Sequence, residues 1–207
     1  MKLDDCFDKE VCINLKRRAD RWTECQEEFK KHGIERVERV NAVDAREHTF
    51  THSRGPNPAE QALTLTHINI LSEASERELK DILIFEDDVE FVDNFQEKFE
   101  VAWSEVPADW EIVYFGGNHQ SPPIPFKEHV SICNRTFAMH AVAIRSTVFE
   151  KVTDLLFLHW HKFPVDVIYG ESLHKMKSFV FTPPLAWQRP GYSDINQAFK
   201  DYDFLRG

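Results

Sequence analysis

Four consecutive large apolar residues, Ile82-Leu83-Ile84-Phe85, run directly into three carboxylates, Glu86-Asp87-Asp88, and this junction constrains the fold more than any other stretch. Two of the four are β-branched, and a run this apolar fits a strand buried on both faces, as in parallel sheets. Such a strand can carry three acids only if it leaves the core at Glu86. Loops at the carboxyl ends of these strands are where open α/β sheets bind ligands. Alternation along the extended chain puts Glu86 and Asp88 on one side and Asp87 on the other. Two carboxylates on one side repel, and a hard divalent cation such as Mn²⁺ or Mg²⁺ would hold them together through oxygen ligands. A solvated strand end, or a cap for the next helix, would account for the acids without a metal.

With 207 residues the chain fits one domain, 1–207, large enough to bury roughly 70% of its unfolded surface and so to cover a sheet on both faces. Hydrophobic residues at 42% against charged residues at 29% argue for a folded globular domain over a disordered one. The net charge of -10 repels polyanions, which argues against nucleic acid or an anionic membrane as partner. Met1-Lys2-Leu3-Asp4-Asp5 has no apolar leader core, and no stretch approaches the length needed to span a bilayer. A cytoplasmic location is expected. Cys6, Cys12, Cys25 and Cys133 form no CxxC pair, so buried reduced thiols fit better than zinc or a disulfide framework.

Val11–Leu15 reads as the first strand, ending in the locally basic Lys16-Arg17-Arg18-Ala19-Asp20-Arg21. Asp20 can cap a helix whose apolar face is Trp22, Cys25 and Phe29 and which stops at Gly33. A strand, a basic turn and a helix N-terminus make a reasonable diphosphate cradle, although a solvated turn explains the same residues. Arg36–Val40 is a second strand, with Asp44 after it as a possible ribose or base acceptor or a simple turn residue. Arg46–Asn57, with His48 and His52, reads as a mobile loop.

Asn57-Pro58-Ala59-Glu60 is a helix start with Asn as N-cap and Glu three residues on. Leu63, His67, Ile70 and Ala74 share one face of that helix, and His67 is either a core histidine or a site residue. Phe95, Phe99 and Trp103 mark a core helix stripe. Trp110–Phe115 is a strand, followed by Gly116-Gly117-Asn118, where backbone could approach a sugar closely. Ser121–Pro125 reads as a stiff rim or lid. Val130–Cys133 and Phe137–Ile144 read as a hairpin, Thr147 and Glu150 as a helix start, and Ser178–Phe181 as the last strand. His159-Trp160-His161 could present two imidazoles as a weak metal pair. Asp166 lies among Phe163-Pro164-Val165 and Val167-Ile168, where desolvation would make a carboxylate a better base, or it simply caps a helix. The stretch 183–195 fits no regular element and has the mixed composition of a binding loop. The closing residues 200–207 suggest a domain cut from a longer protein.

The chain resembles glycosyltransferase family 25, which contains lipooligosaccharide and collagen galactosyltransferases. Ile13-Asn14-Leu15-Lys16-Arg17-Arg18-Ala19-Asp20-Arg21-Trp22, then Gly33-Ile34 and Arg39-Val40-Asn41-Ala42-Val43-Asp44, carry the resemblance at the start. It continues through Ala62–His67, Ile84–Asp88, Thr136–Met139 and Pro164–Asp166 to Tyr192–Ile195. Thr66 stands where the family usually has Ser, and the 46–57 loop matches nothing in it. The resemblance implies a GT-A fold: α/β, with a central mixed, mostly parallel sheet flanked by helices on both faces. It implies transfer of a hexose from a UDP-sugar to a hydroxyl of a glycan or glycoprotein, with inversion, using Mn²⁺ or Mg²⁺. Glu86 and Asp88 match its acidic metal-binding pattern, Asp88 being the better ligand. The donor would be held by Asn14, Arg17, Arg18, Arg21, Asp44, His67, Glu86, Asp87 and Gln188. By position Asp166 would be the base, with Glu171 and Asp194 as alternates. The competing readings are a nucleotidyltransferase, opposed by the absence of glycine between Asn14 and Arg21, a metal-dependent phosphohydrolase, and a non-catalytic nucleotide-sugar-binding module.

Overall fold

The computed structural model describes residues 1–50 and 55–206. His52 of the 46–57 loop and Gly207 lie outside the described residues. The strands are β1 Glu10–Asn14, β2 Glu38–Asn41, β3 Asp81–Glu86, β4 Val89–Phe91, β5 Ile112–Tyr114, β6 Asn118–His119 and β7 Ile124–Pro125. They continue with β8 Val130–Ile132, β9 Thr136–Phe137, β10 Ala141–Arg145, β11 Ser178–Phe181, β12 Ala186–Gln188, β13 Gly191–Ser193 and β14 Ala198–Lys200. The helices are α1 Ala19–Lys31, α2 Pro58–Glu76, α3 Phe95–Ser104, α4 Phe149–His159 and α5 Val165–Ser172.

Eight strands form one sheet in the order β2-β1-β3-β10-β5-β11-β8-β7. β1, β2 and β3 are mutually parallel, as are β5 and β11, while β10 runs antiparallel between the two groups and β8 antiparallel to β11. This is the expected mixed, mostly parallel sheet. Alternation sorts its side chains between two cores. Cys12, Leu83, Phe85, Val113 and Phe181 join Cys25, Phe29, Phe95 and Phe99 from α1 and α3. Val11, Ile13, Ile82, Ile84 and Tyr114 join Ile70, Leu71, Val152, Leu156 and Ile168 from α2, α4 and α5. Ile82–Phe85 are each at most 1% exposed, which is why that run tolerates no polar residue before Glu86. Among the described residues no helix is long and apolar enough to cross a membrane.

Asn57 caps α2 as its sequence predicts: its side chain accepts from the Ala59 and Glu60 amides, and Glu60 reaches back to the Asn57 amide at 2.7 Å. α1 starts two residues earlier than expected, with Arg18 at the N-cap, and Asp20 sits inside the first turn, where its carboxylate suits the helix dipole. α4 begins at Phe149 after a 3-10 turn over Ser146–Val148, without a side-chain cap from Thr147. Cys12, Cys25 and Cys133 are buried, and all four thiols are free.

Three expectations are corrected by pairing that sequence patterning does not encode. β8 and β10 are not hairpin partners: β8 pairs with β7 and β11, and β10 slots between β3 and β5. Ser121–Pro125 contributes β7 at the far edge of the sheet and not the rim of a site. The 183–195 stretch is partly regular, since β12 pairs with β4 and β13 with β14, so β11 is not the last strand.

Candidate active site

The three acids stand where β3 leaves the sheet. The Glu86 amide donates to the His140 carbonyl at 3.0 Å, and the chain turns at once into β4. Asp87 points toward β1 and α1: Asn14 donates its side-chain amide to one oxygen, and Arg21 Nη2 lies 2.7 Å from the other. The same Arg21 nitrogen is 2.9 Å from Asp88 Oδ2. Glu86 faces β12 instead, accepting from Gln188 Nε2 at 3.3 Å. Asp88 Oδ1 is buried and has no hydrogen-bond partner among the described residues.

Negative charge is in excess here. Burial, then the charges of Asp88, Asp166 and Asp87, hold Glu86 well above the ordinary carboxylate range, and Arg21 offsets only part of this. Burial pushes Asp87 up to about 6 against the pull of Arg21.

Around these acids opens a cavity of about 860 Å³, within the range of small-ligand and cofactor sites. Glu86, Asp87, Asp88, Arg17, Arg21, Asp44, Asp166 and Gln188 all line it, so the fold gathers side chains from α1, α5, β12, the end of β3 and the loops that follow β1 and β2 on one space. Asn14 and Arg18 touch its edge through Asp87 and Asp194. Arg17 Nε is 2.9 Å from Asp44 Oδ2 and its Nη1 is 2.6 Å from Asp194 Oδ1, while Arg18 pairs with the other Asp194 oxygen. Burial would raise Asp194, but Arg17 and Arg18 hold it below its ordinary range.

His67 is not brought to this cavity. It is fully buried in α2, edge-on to Tyr169 with ring centroids 5.8 Å apart, and burial alone lowers it to about 4. It is a core histidine. His159 ends α4, and His159-Trp160-His161 is a helix end, not the extended segment that would aim two imidazoles one way. Gly116 and Gly117 approach the protein itself: a Cβ would lie 2.1 Å from the Ala186 carbonyl oxygen at the first and 2.3 Å from Thr136 Cγ2 at the second.

The three acids weighed as base separate clearly. Glu171 is half exposed, paired with Arg135 and away from the cavity wall, and Asp194 is neutralised by two arginines. Asp166 lines the cavity from the first turn of α5, with no ion-pair partner among the described residues. Its Oδ1 accepts from the Val167 amide at 2.8 Å and its Oδ2 from the Ala138 amide at 3.4 Å, and burial raises its pKa.

The donor set fits a hard cation. Asp88 offers a buried, unpartnered oxygen, and Glu86 adds a second carboxylate across the same space. Mg²⁺ and Mn²⁺ are commonly held by one or two carboxylates together with substrate phosphates and water, so two protein ligands suffice. Among the described residues, the one group of three whose ligand atoms lie within 4.8 Å of one another is elsewhere: Glu128 and His129 of the β7–β8 turn with Glu105 at the end of α3.

The sequence did not single out Phe137, Tyr202, Phe204 and Leu205 as cavity residues, whereas Asn118 belongs to the turn expected to approach a sugar. Tyr202 is pushed up by burial and then by the charges of Asp88 and Glu86, which places its phenol beside the acids. Nothing local marks it, because it reaches the site only through the fold of the last fifteen residues.

Residues 7–163 match the family model described as glycosyltransferase family 25 (LPS biosynthesis protein). Procollagen galactosyltransferase 2 of Mus musculus is 28% identical over 148 residues, covering 62% of this chain and 24% of that protein. The Homo sapiens protein of the same name gives the same figures. The chain thus spans about a quarter of the length of these curated relatives. Among solved structures, A197 from STIV superposes with a TM-score of 0.45 at 13% identity, covering 83% of this chain and 81% of that one. A glycosyltransferase involved in the glycosylation of the major capsid of PBCV-1 gives 0.41 at 10% identity, covering 84% and 91%.

Proposed function

The chain belongs to glycosyltransferase family 25, and on that footing we propose that it is a metal-dependent hexosyltransferase that moves a sugar from a UDP-sugar to a hydroxyl of a glycan or glycoprotein, with inversion. One observation carries the reading: a surplus of buried carboxylate, with an unpartnered Asp88 oxygen, opens on a cavity of about 860 Å³ that Asp166 also lines. Buried acids without matching cations cost stability, and such a surplus is retained where a ligand supplies the missing positive charge.

Asp88 and Glu86 would hold Mn²⁺ or Mg²⁺, which supplies Lewis acidity to the leaving diphosphate. Arg17 on the same wall and Arg18 at its edge are a source of positive charge, and Asp44, held by Arg17 and Arg46, would face the ribose. Asn14 orients Asp87, and Asp87 fixes Arg21. Gln188 holds Glu86 in place. Asp166 takes the acceptor hydroxyl proton as that oxygen bonds to the anomeric carbon and the UDP oxygen departs with the bonding pair. Burial raises its basicity toward this task. A cytoplasmic location suits four reduced thiols, with the Cys12 and Cys25 sulfurs 3.6 Å apart in a thiol–thiol hydrogen bond.

The test is release of UDP from UDP-hexoses with Mn²⁺ present, in the wild type and in Asp166→Asn. Wild-type protein releases UDP, and the variant binds UDP equally but turns over roughly 10²- to 10⁴-fold more slowly. Full turnover in Asp166→Asn removes Asp166 from the role of base.

A further inference from the structure

The hairpin of β13 and β14 covers the cavity without a core of its own. None of residues 191–200 is buried, whereas Tyr192, Ser193, Asp194, Ile195, Asn196 and Gln197 all line the cavity. A two-stranded hairpin is marginal by itself, so something else must hold this flap in place. Its base is pinned on both sides. β12 pairs with β4, and beyond β14 Leu205 is buried while Arg206 lies 2.8 Å from Glu90 and over the Trp187 ring. Its tip is held chiefly by one carboxylate: Asp194 Oδ1 lies 2.6 Å from Arg17 Nη1, and its other oxygen meets Arg18 Nη1. Among the described residues the tip is also held by Asn57 Nδ2, which donates to the Ile195 carbonyl at 3.3 Å.

We propose that Asp194 is an internal stand-in for the donor's diphosphate, a latch that keeps the flap down on Arg17 and Arg18 until an incoming diphosphate takes those guanidinium groups and releases it. This rests on the reading of the cavity as a nucleotide-sugar site. The physical case is competition between anions. Carboxylate and phosphate oxygens use the same planar guanidinium donors, and a diphosphate brings more charge and more acceptor oxygens than one carboxylate. Asp44 and Asp20 already share these arginines, so Arg17 and Arg18 have little spare charge to hold Asp194 and a polyanion together. Asp194 is the contributor that can leave, because it sits on an element with no buried residue. Asp44 is fixed beyond the end of β2, and Asp20 lies on α1 itself.

Hydrogen-exchange mass spectrometry on the amides of 191–200 tests this, because exchange there reports how often the flap opens. The latch predicts that Asp194→Asn speeds exchange of these amides by roughly 5- to 10-fold, the loss expected for an ion pair of this kind. Inorganic pyrophosphate with Mg²⁺ should produce a similar acceleration in the wild type and add little in the variant. Unchanged exchange in Asp194→Asn, or a wild-type flap indifferent to pyrophosphate, overturns the latch. Arg17→Gln gives an independent check, since it loosens the same contact from the rigid side. If pyrophosphate frees the flap but UDP does not, the latch stands and the nucleotide-sugar reading falls. If UDP binds calorimetrically while the flap does not respond, the latch falls alone.

Discussion

Replacing Arg21 by Met removes the guanidinium shared by Asp87 and Asp88 while keeping most of its apolar stem. The side chains of Arg21, Asp87 and Asp88 are only 15%, 12% and 18% exposed, so the pairs behave as nearly buried ones. Breaking a buried pair from one side costs about 3–5 kcal/mol, and the remaining water access puts this site near the lower end. The loss depends on pH with a definite sign. Asp87 stands at about 6 in the folded wild type, above its unfolded value, and losing Arg21 raises it further. Between the unfolded pKa and that raised value the folded state binds more protons than the unfolded one, so stability grows as pH falls through this window. Urea unfolding should therefore show a loss of about 3 kcal/mol at pH 8 that shrinks by at least half at pH 5.5. A loss below about 1 kcal/mol at pH 8, or an equal loss at both pH values, would refute the picture of a buried acid surplus held by Arg21.

Burial pushes Glu10, at the start of β1, up to about 7 against the pull of Arg36, whose Nε lies 3.7 Å from Oε2, and neither of its oxygens has a hydrogen-bond partner among the described residues. Glu10→Gln should stabilise the protein by about 1–2 kcal/mol at pH 8 and by almost nothing at pH 5, where the native glutamate is already protonated; denaturant midpoints at the two pH values check this. Gly116→Ala would drive a Cβ to 2.1 Å from the Ala186 carbonyl oxygen, against backbone that cannot rotate away, and should lower stability by about 2–4 kcal/mol in thermal unfolding. Gly191→Ala meets nothing within 4 Å and serves as the control, expected to stay within about 0.5 kcal/mol of wild type.

Features fixed by short-range chemistry were legible in the sequence. The capping box at Asn57 and Glu60, the Phe95–Phe99–Trp103 stripe and the apolar β3 run each express a local rule, and each is present. The acids at the end of β3 were readable for the same reason, because a buried strand cannot carry them further inward. Strand partners were not readable. Residues 130–144 read as two strands with a turn-like link, yet they form β8, β9 and most of β10, and β10 is drawn between β3 and β5 by apolar surface on both of its faces. His67 shows the same limit at a single residue: its helix position was legible, but only the packing of α5 decides that it meets Tyr169 and not the cavity. The Arg17–Asp194 contact spans most of the chain, and Tyr202 reaches the acids through the hairpin before it, so no local pattern could announce either.

The first measurement to make is calorimetric titration of UDP into the wild type and Asp88→Asn, with Mn²⁺ and again with a chelator. Wild-type protein should bind UDP with Mn²⁺ and lose that binding on chelation, and Asp88→Asn should bind weakly in both conditions while keeping its fold. Equal UDP affinity with and without the cation, or in wild type and Asp88→Asn alike, would contradict a metal-dependent donor site at the end of β3.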